Sequence, residues 1–588
     1  MREPNLGETH AVTNVSSELS DTNLFLTDTP LVEAVAREGG AWGLEKVADF
    51  GALTGRAEHL ELGHLANKYT PELDTHDRFG RRVDLVRYHD AYHQLMRTSL
   101  EHGLHSAPWT DPRSGAHVVR AAHSALQGQV EAGHGCPVTM TFASIPSIRM
   151  QPELAAQLEG KILARGYDPR NVPMAEKSAI TVGMGMTEKQ GGSDVRANST
   201  RATPVGQPGP GQLYELTGHK WFLSAPMCDA FLVLAQTEPG LACFLVPRWL
   251  PDGRKNALNV IRLKDKMANR SNASSEVELR GAQGWLIGQE GRGVPTIIEM
   301  VGLTRFDCMV GSAALMRAGL ANALHHCGER SAFGARLRDQ PLMQNVLSDL
   351  ALEYEAAIAF SMRMARALDT REHDAHEGHL LRVATAVGKY WVCKRTPQHT
   401  YEIMECIGGS GVMENSVYPR LFRESVINPI WEGSGNVQCL DVLRAVMKNP
   451  EVMRSFLAEV KLAQGGNARL DAFVAGLEQQ LGALDFTDMR SVEFASRHVV
   501  DQLALAFQGA LLVQHAPSAV SEAFCSSRLA GGHHQYGALP VGTDVQTILE
   551  RADPAVSADV SRFASAVAAA GDASVLTSHA PSGAPARP

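Results

Sequence analysis

The sequence has few of the features that would place it outside the ordinary globular proteins. Only 20% of its 588 residues are charged and 44% are apolar, which excludes a mainly disordered chain. Its nine cysteines are scattered and odd in number, and no two form a C-x-x-C pair. Neither a disulfide framework nor a cysteine-rich zinc site is therefore expected, and we assign no metal. No uncharged apolar run approaches the roughly 20 residues that span a bilayer. The opening MREPNLGETH also lacks a basic segment followed by an apolar one, so the expectation is a cytoplasmic protein with no membrane partner. Positive charge is not in excess. The 55 Lys+Arg against 64 Asp+Glu leave a net charge of −9, which gives no overall electrostatic argument for nucleic acid, although a local basic patch can hide in that balance. Internal repeats are missing too. At about 150 residues per domain, the length calls for three to four domains.

What is there changes texture along the chain. Residues 1–180 read as mostly helical. Leu31, Ala34 and Val35 have helical spacing, Asp28 or Thr29 offers a cap, and Pro30 suits a first helical position. Further helices fit Tyr88–Gly103 and His117–Ala132, with loops at Pro71, Gly80, Pro108, Pro112 and Gly115. Residues 181–290 are short β-rich runs separated by turns, such as QLYELTG, AFLVLAQT and LACFLVP, and predict a small antiparallel sandwich or barrel. Helical patterns return in 291–445, where Leu342, Val346, Leu350, Ala357 and Met364 recur at steps of four and seven as one buried face. They continue through 446–563, broken at Gly465–Gly466 and Ala530–Gly542. Residues 564–588, rich in Ala, Ser and Pro, read as a disordered tail.

Five stretches can carry chemistry. In GMTEKQGGSDVRA (Gly185–Ala197), small residues let backbone N–H groups approach a ligand while Thr187 and Ser193 donate to oxygens. The stretch has neither the G-K-[ST] ending of a phosphate-binding P-loop nor the Rossmann glycine spacing. In GHKWFLS (Gly218–Ser224), Trp221 and Phe222 offer a flat wall to an aromatic cofactor, with Ser224 in reach of a heteroatom. Arg330 and Phe333 of ERSAFG, three apart, would share a face on a helix end, a guanidinium for a phosphate beside an apolar stop. The glycines of ECIGGSGVMENSVYPRLFRE (Glu405–Glu424) mark a break between helices. In NPIWEGSGNVQ (Asn428–Gln438), Glu432 beside an indole can be desolvated and so become a better base near neutral pH. Taken singly, each has a plain structural reading: a turn, core aromatics, a surface arginine, a helix end, a solvated loop.

Their order is more specific. TE-x-x-GGSD (Thr187–Asp194) and Glu405–Glu424 resemble the two signatures of the acyl-CoA dehydrogenase family, and R-x-x-F-G and E-G-[ST] complete the set over roughly residues 40–445. Within that family the chain resembles the AidB-like branch of alkylation-response flavoproteins. The resemblance lies in Asn23–Trp42, Glu61–Leu73, KDKMANRSNASSEVE (Lys264–Glu278), Thr304–Cys308 and WEGSGN. It implies a mainly α fold with a central β-domain: N-terminal helices, a middle β-sandwich or barrel, a C-terminal four-helix bundle and an extra C-terminal helical domain. It also implies FAD and a homotetramer.

By the same resemblance, Met186, Thr187, Gly192 and Ser193 line the flavin ring and pyrophosphate, and Trp221, Phe222 and Ser224 cover the other side of the ring. Arg330 and Phe333 meet the cofactor of a neighbouring subunit, with Gln340 and Ile407, Gly408 and Gly409 near its adenine end. Gly433, Ser434, Asn436 and Gln438 return to the flavin beside Glu432, the base that takes an α-proton from an acyl-CoA. Other branches place that base just before the arginine of the first bundle helix, where this sequence has Thr304 before Arg305. Trp431 stands where a smaller Tyr is often found. Members of the branch are also associated with the response to DNA alkylation and with duplex DNA through the extra domain, here 446–563. From Ala445 onward, however, 10 Lys+Arg face 14 Asp+Glu; only Lys448, Arg454 and Lys461 fall roughly on one helix side. The alternatives are therefore a DNA-binding protective flavoprotein with little turnover, or a flavin-dependent oxidase.

Overall fold

The computed structural model describes residues 9–531 and 535–556, so the expected tail and the last residues of the 446–563 region lie outside the described residues. Asp28 is the cap of the first helix, its carboxylate accepting from the Leu31 N–H, and Pro30 sits in the first turn. Helices Leu44–Thr54, Ala57–Lys68 and Asp90–Glu101 follow, then α1 (Ala116–Val130) and α2 (Gly135–Arg149). One departure interrupts them. Where loops are predicted around Pro71 and Gly80, the chain forms an antiparallel hairpin of β1 (Glu72–His76) and β2 (Arg82–Arg87). Its support is tertiary. Arg82 donates to the Val260 carbonyl at 2.5 Å, and Lys255 pairs with the buried Asp84. Those partners are distant in sequence, so no local pattern announces the hairpin.

Strands begin at β3 (Val182–Gly185) and continue through β4 (Arg201–Pro204), β5 (Leu213–Ser224), β6 (Ala230–Thr237), β7 (Gly240–Pro247), β8 (Leu258–Leu263) and β9 (Ser274–Ile287). The pairings β4–β5, β5–β9, β9–β7, β7–β6 and β6–β4 close a barrel, with β3 flanking β6 and β8 flanking β9. The antiparallel sandwich or barrel expected from the sequence is not borne out throughout, since β4 meets β6 in parallel (Arg201 opposite Gln236). β3 runs parallel to β6 (Val182 opposite Ala230), because it enters from the helical domain rather than through a hairpin turn.

Three long helices, α3 (Gly293–Glu329), α4 (Pro341–Thr370) and α5 (Ala375–Ile407), form the bundle, and Val417–Ser425 and α6 (Gly435–Lys448) pack against α5. Leu350, Ala357 and Met364 are buried as the spacing requires. Leu342 is not: at the first turn of α4 it is 83% exposed. The C-terminal helices join the same core. Phe507 packs on Phe360 and Phe456 at ring distances of 4.5 and 5.1 Å. Buried Arg363 of α4 binds Glu377 and Glu459 at 2.8 and 2.5 Å, tying the added helices to the bundle.

Candidate active site

Helical domain, barrel and bundle meet around a cavity of about 650 Å³. Met186, Thr187, Gly192 and Ser193 line it from the β3–β4 loop, Phe222 and Ser224 from β5, and Glu432, Gly433 and Ser434 from the loop before α6. A β-bulge between Lys220 and Leu223 breaks strand alternation at the aromatic pair. Lys264 Nζ lies near both rings, 3.0 Å from the Trp221 centroid and 4.8 Å from that of Phe222, and of the two Phe222 lines the cavity. The wall offered to a flat cofactor is therefore Phe222, not both rings.

The loop is held by its own motif. Glu188 turns inward and pairs with Lys220 at 2.8 Å, both side chains fully buried, and also accepts from the Ser199 N–H at 2.7 Å and the Thr200 N–H at 3.1 Å. Burial alone would raise the Glu188 carboxyl, but these donors, Lys220 foremost, hold it well below the usual carboxylate range. Lys220 belongs to GHKWFLS, so the first two sequence motifs are clamped together by one buried ion pair. Gly192 is packed so closely that a Cβ there would lie 2.4 Å from Thr187 Oγ1. That close cradle, with hydroxyls of Thr187 and Ser193 at the cavity wall and Phe222 as a flat side, fits a flavin nucleotide.

Glu432 has φ 56° and Gly433 φ 96°, two successive residues in the left-handed region. For a glutamate this costs about 1–3 kcal/mol and persists only where neighbours over-determine it. Here they do. Arg305 Nε donates to the Glu432 carbonyl at 2.9 Å, Gln438 Nε2 to the Glu432 and Gly433 carbonyls at 3.0 and 2.9 Å, and Lys389 Nζ to the Trp431 and Gly433 carbonyls at 2.7 and 2.5 Å. Arg305 is itself held by Asp441 at 2.8 Å. A Cβ on Gly433 would come within 2.5 Å of Gln438 Nε2, which explains the glycine. The Glu432 carboxyl is buried and its Oε2 accepts from Thr304 Oγ1 at 2.8 Å. Burial pushes its pKa up, opposed by the Thr304 hydrogen bond and the charges of Lys389 and Arg305.

Other sequence-predicted residues lie elsewhere. Gln438 backs the loop rather than lining the cavity, and Asn436 accepts from Arg497 Nε of the added helices at 2.8 Å. Arg330 and Phe333 do not share a helix face. The chain leaves α3 at Arg330 and turns through a hairpin of β10 (Ser331–Ala332) and β11 (Ala335–Arg336), with Phe333 at φ 53° and fully exposed. Arg330 donates to the Asn14 carbonyl at 2.8 Å, and Gln340 to the Ala332 carbonyl at 2.8 Å. Ile407, Gly408 and Gly409 end α5 at the same end of the bundle, where Cys327 Sγ of α3 lies 4.0 Å from the Cys406 carbonyl. At 1.5 Å per residue, that end lies roughly 38 Å along α3 from Thr304. One chain thus holds two separate groups of the expected cofactor residues.

Sequence reasoning did not assign roles to Lys389, Arg305 and Asp441, which fix the base, or to Glu188 and Lys220, which fix the loop. Thr304 it named only as a position without a base. For Glu188 and Lys220 a signal existed, a charged residue inside each motif among otherwise small or apolar neighbours. At the C-terminal end, two of the three basic candidates are already paired, Arg454 with Glu451 and Lys461 with Glu478. Among the described residues no helix is long and apolar enough to cross a membrane.

Comparison with known proteins agrees with this architecture segment by segment. Residues 14–169 match the adaptive response protein AidB N-terminal domain, 183–282 the acyl-CoA dehydrogenase middle domain, and 291–447 the acyl-CoA dehydrogenase C-terminal domain. The chain is 46% identical over 527 residues to the Escherichia coli (strain K12) protein named as an acyl-CoA dehydrogenase, AidB, covering 89% of this chain and 95% of that one. It is 29% identical to acyl-CoA dehydrogenase family member 11 of Caenorhabditis elegans over 79% of this chain and 78% of that one. In structure it resembles Caenorhabditis elegans ACDH-11 in complex with C11-CoA (TM-score 0.80, 24% identity, 99% and 100% of the two chains). It also resembles the acyl-CoA dehydrogenase complexed with FAD from Bacillus anthracis (TM-score 0.63, 16% identity, 92% and 91%). The chain belongs to the acyl-CoA dehydrogenase family of FAD-dependent oxidoreductases, and within it to the AidB-like branch.

Proposed function

We propose that this protein dehydrogenates an acyl-CoA thioester between its α and β carbons, with Glu432 as the base. The observation that carries the reading is a buried carboxyl, raised by desolvation, presented into a cavity by a strained and heavily braced turn. When bound, FAD supplies an acceptor for the β-hydrogen as hydride, and Thr187, Gly192, Ser193, Phe222 and Ser224 are the residues that would hold it. The α-proton passes to Glu432, the α and β C–H bonds break, and a carbon–carbon double bond forms. Turnover of an acyl-CoA panel with an artificial electron acceptor tests the reading; no turnover of any member by FAD-loaded protein counts against it.

Thr304 is a positioning residue in this scheme, since its hydroxyl is committed to the Glu432 carboxylate. It also stabilises the charged form of the carboxyl. Thr304→Val should raise the Glu432 pKa further and shift the acid limb of the kcat/KM profile to higher pH. The loss would be roughly tenfold on the acid side and smaller on the alkaline side, because only one hydrogen bond to a charged group is removed. A pH-independent loss would point instead to a packing role.

The match to an adaptive-response domain supports a place in the response to DNA alkylation, and nine free cysteines fit a cytoplasmic setting. Direct DNA contact through 446–563 is the weaker reading, because the basic residues there are few and five of them, Arg454, Lys461, Arg469, Arg528 and Arg551, are already ion-paired. If phosphate contacts do carry binding, duplex DNA is retained at low salt and released steeply as salt rises. Absence of retention at low salt removes this role. An oxidase reading is separated by admitting air after reduction: rapid return of the flavin colour supports it.

A further inference from the structure

The loop between β8 and β9, residues 264–273, forms part of the cavity wall and carries a charge that the proposed chemistry leaves unused. Two carboxylates pin this loop. Glu424 of the Val417–Ser425 helix accepts from the Asn269 N–H at 2.7 Å and from its side-chain amide at 3.1 Å, and Glu131 accepts from Ser271 Oγ at 2.8 Å. Asn269 holds φ 57°, and Asn272 Nδ2 donates to its side-chain oxygen at 3.1 Å. The loop so fixed brings Lys266 to the cavity, where it lines the wall with Phe222, Ser224 and Ser274.

The Lys266 ammonium meets only neutral oxygens. Its Nζ donates to the Asn272 carbonyl and to Ser274 Oγ, both at 2.8 Å, and it makes no ion pair among the described residues. Glu131 and Glu424 act on it through space, but their oxygens are taken up by the loop and, for Glu131, by the Gly133 and His134 N–H groups at 2.8 Å. Burial pushes the Lys266 pKa down to about 8, opposed by Cys136, Glu424 and Glu131, so the ammonium form predominates at neutral pH. Ser274 Oγ in turn lies 3.0 Å from Ser224 Oγ, opposite it in the β5–β9 register. A cation is thus joined through Ser274 to Ser224, one of the residues that fit the flavin.

We propose that Lys266 sets the reduction potential of the bound flavin, its cation behind Ser274 and Ser224 offsetting the negative charge that a transferred hydride brings. The proposal deepens the dehydrogenase reading and rests on its placement of FAD. Each hydride leaving the β carbon carries two electrons with one proton, so the acceptor gains one unit of negative charge. A fixed cation in a half-buried wall favours that charged form over the uncharged ring. At an effective dielectric of about 20, one unit charge is worth about tenfold or more in such an equilibrium out to about 12 Å. Lys266 is in this sense a positioning residue, acting on the cofactor and not on the substrate.

The test is the two-electron reduction potential of the FAD-loaded protein, read by equilibration with a reference dye. Lys266 also lines an outer cavity of about 260 Å³, so its side chain separates two spaces and a truncated residue would open the wall. Lys266→Met keeps the length and removes the charge. Its potential should fall by about 30 mV or more, the equivalent of about tenfold for a two-electron couple. Lys266→Gln, which can still donate to Ser274, should fall as far, and Lys266→Arg should stay near the parent. A parent potential in Lys266→Gln would assign the effect to hydrogen bonding and overturn the proposal. An unchanged potential in Lys266→Met that holds FAD also overturns it, and leaves the dehydrogenase reading standing if thioesters still bleach the flavin. The predicted fall, in protein that no thioester reduces, supports the role of Lys266 and sinks the dehydrogenase reading instead. If neither uncharged variant keeps FAD, the parent decides: a potential above that of free FAD at the same pH supports the proposal, and one at or below it overturns it.

Discussion

Replacing Glu432 with glutamine is expected to lower acyl-CoA dehydrogenation by about 10²- to 10⁴-fold while leaving FAD bound, the range by which a positioned general base accelerates proton transfer. Glutamine keeps the size of the side chain and can still accept from Thr304 Oγ1, so the interaction that orients it survives. The left-handed turn is held by bonds from Arg305, Gln438 and Lys389 to backbone carbonyls, none of which the substitution touches. The groups that fit the cofactor lie on the β3–β4 loop and β5. Only the proton-accepting function is removed. The flavin spectrum of the purified variant checks cofactor retention, and single-turnover reduction measures the chemical step. Reduction at the parent rate would falsify the assignment of Glu432; loss of FAD would mean the glutamate has a structural role.

The second large effect concerns assembly. Phe333 is fully exposed at the tip of the β10–β11 hairpin, Leu342 is 83% exposed nearby on α4, and Val412 and Met413 are 66% and 50% exposed after α5. Large apolar side chains clustered at one end of a bundle mark an interface. Arg330, Gln340 and the Ile407–Gly409 turn lie at this same end, far from the Glu432 cavity of their own chain. We propose that this end completes the cofactor site of a second copy, within the homotetramer implied by the family resemblance. The double variant Phe333→Asp with Leu342→Asp should then dissociate to smaller species and retain FAD roughly tenfold less well or worse, because removing apolar anchors of this kind costs about 2 kcal/mol or more each. Light scattering and the flavin-to-protein absorbance ratio read both. Dissociation without loss of FAD would confine the cofactor to one chain; no dissociation would remove the interface.

How legible these features were depends on whether the determining contacts are local. Glu432 was visible because it sits between an indole and a glycine in a short ordered motif. The bracing of Glu432 was not visible, since Lys389, Arg305 and Asp441 come from helices up to 127 residues away. The pattern of GHKWFLS places an aromatic pair in a strand, and the structure adds a β-bulge at that pair, with Phe222 and not Trp221 on the cavity wall. Arg330 and Phe333 were read at helical spacing, whereas the chain stops being helical between them; Phe333 and Gly334 in the left-handed region make the turn. The β1–β2 hairpin was hidden for the same reason as the braces. Its stability comes from Val260 and Lys255 of the barrel, not from its own sequence.

The central claim is that a buried carboxylate in this cavity transfers an acyl-CoA's α-proton as flavin accepts the β-hydrogen. Anaerobic mixing of the FAD-loaded protein with acyl-CoA thioesters, watching the visible flavin band, tests it most directly. The account predicts bleaching by at least one thioester, abolished in Glu432→Gln; a band that stays unchanged with every thioester, in protein that holds its FAD, would contradict it.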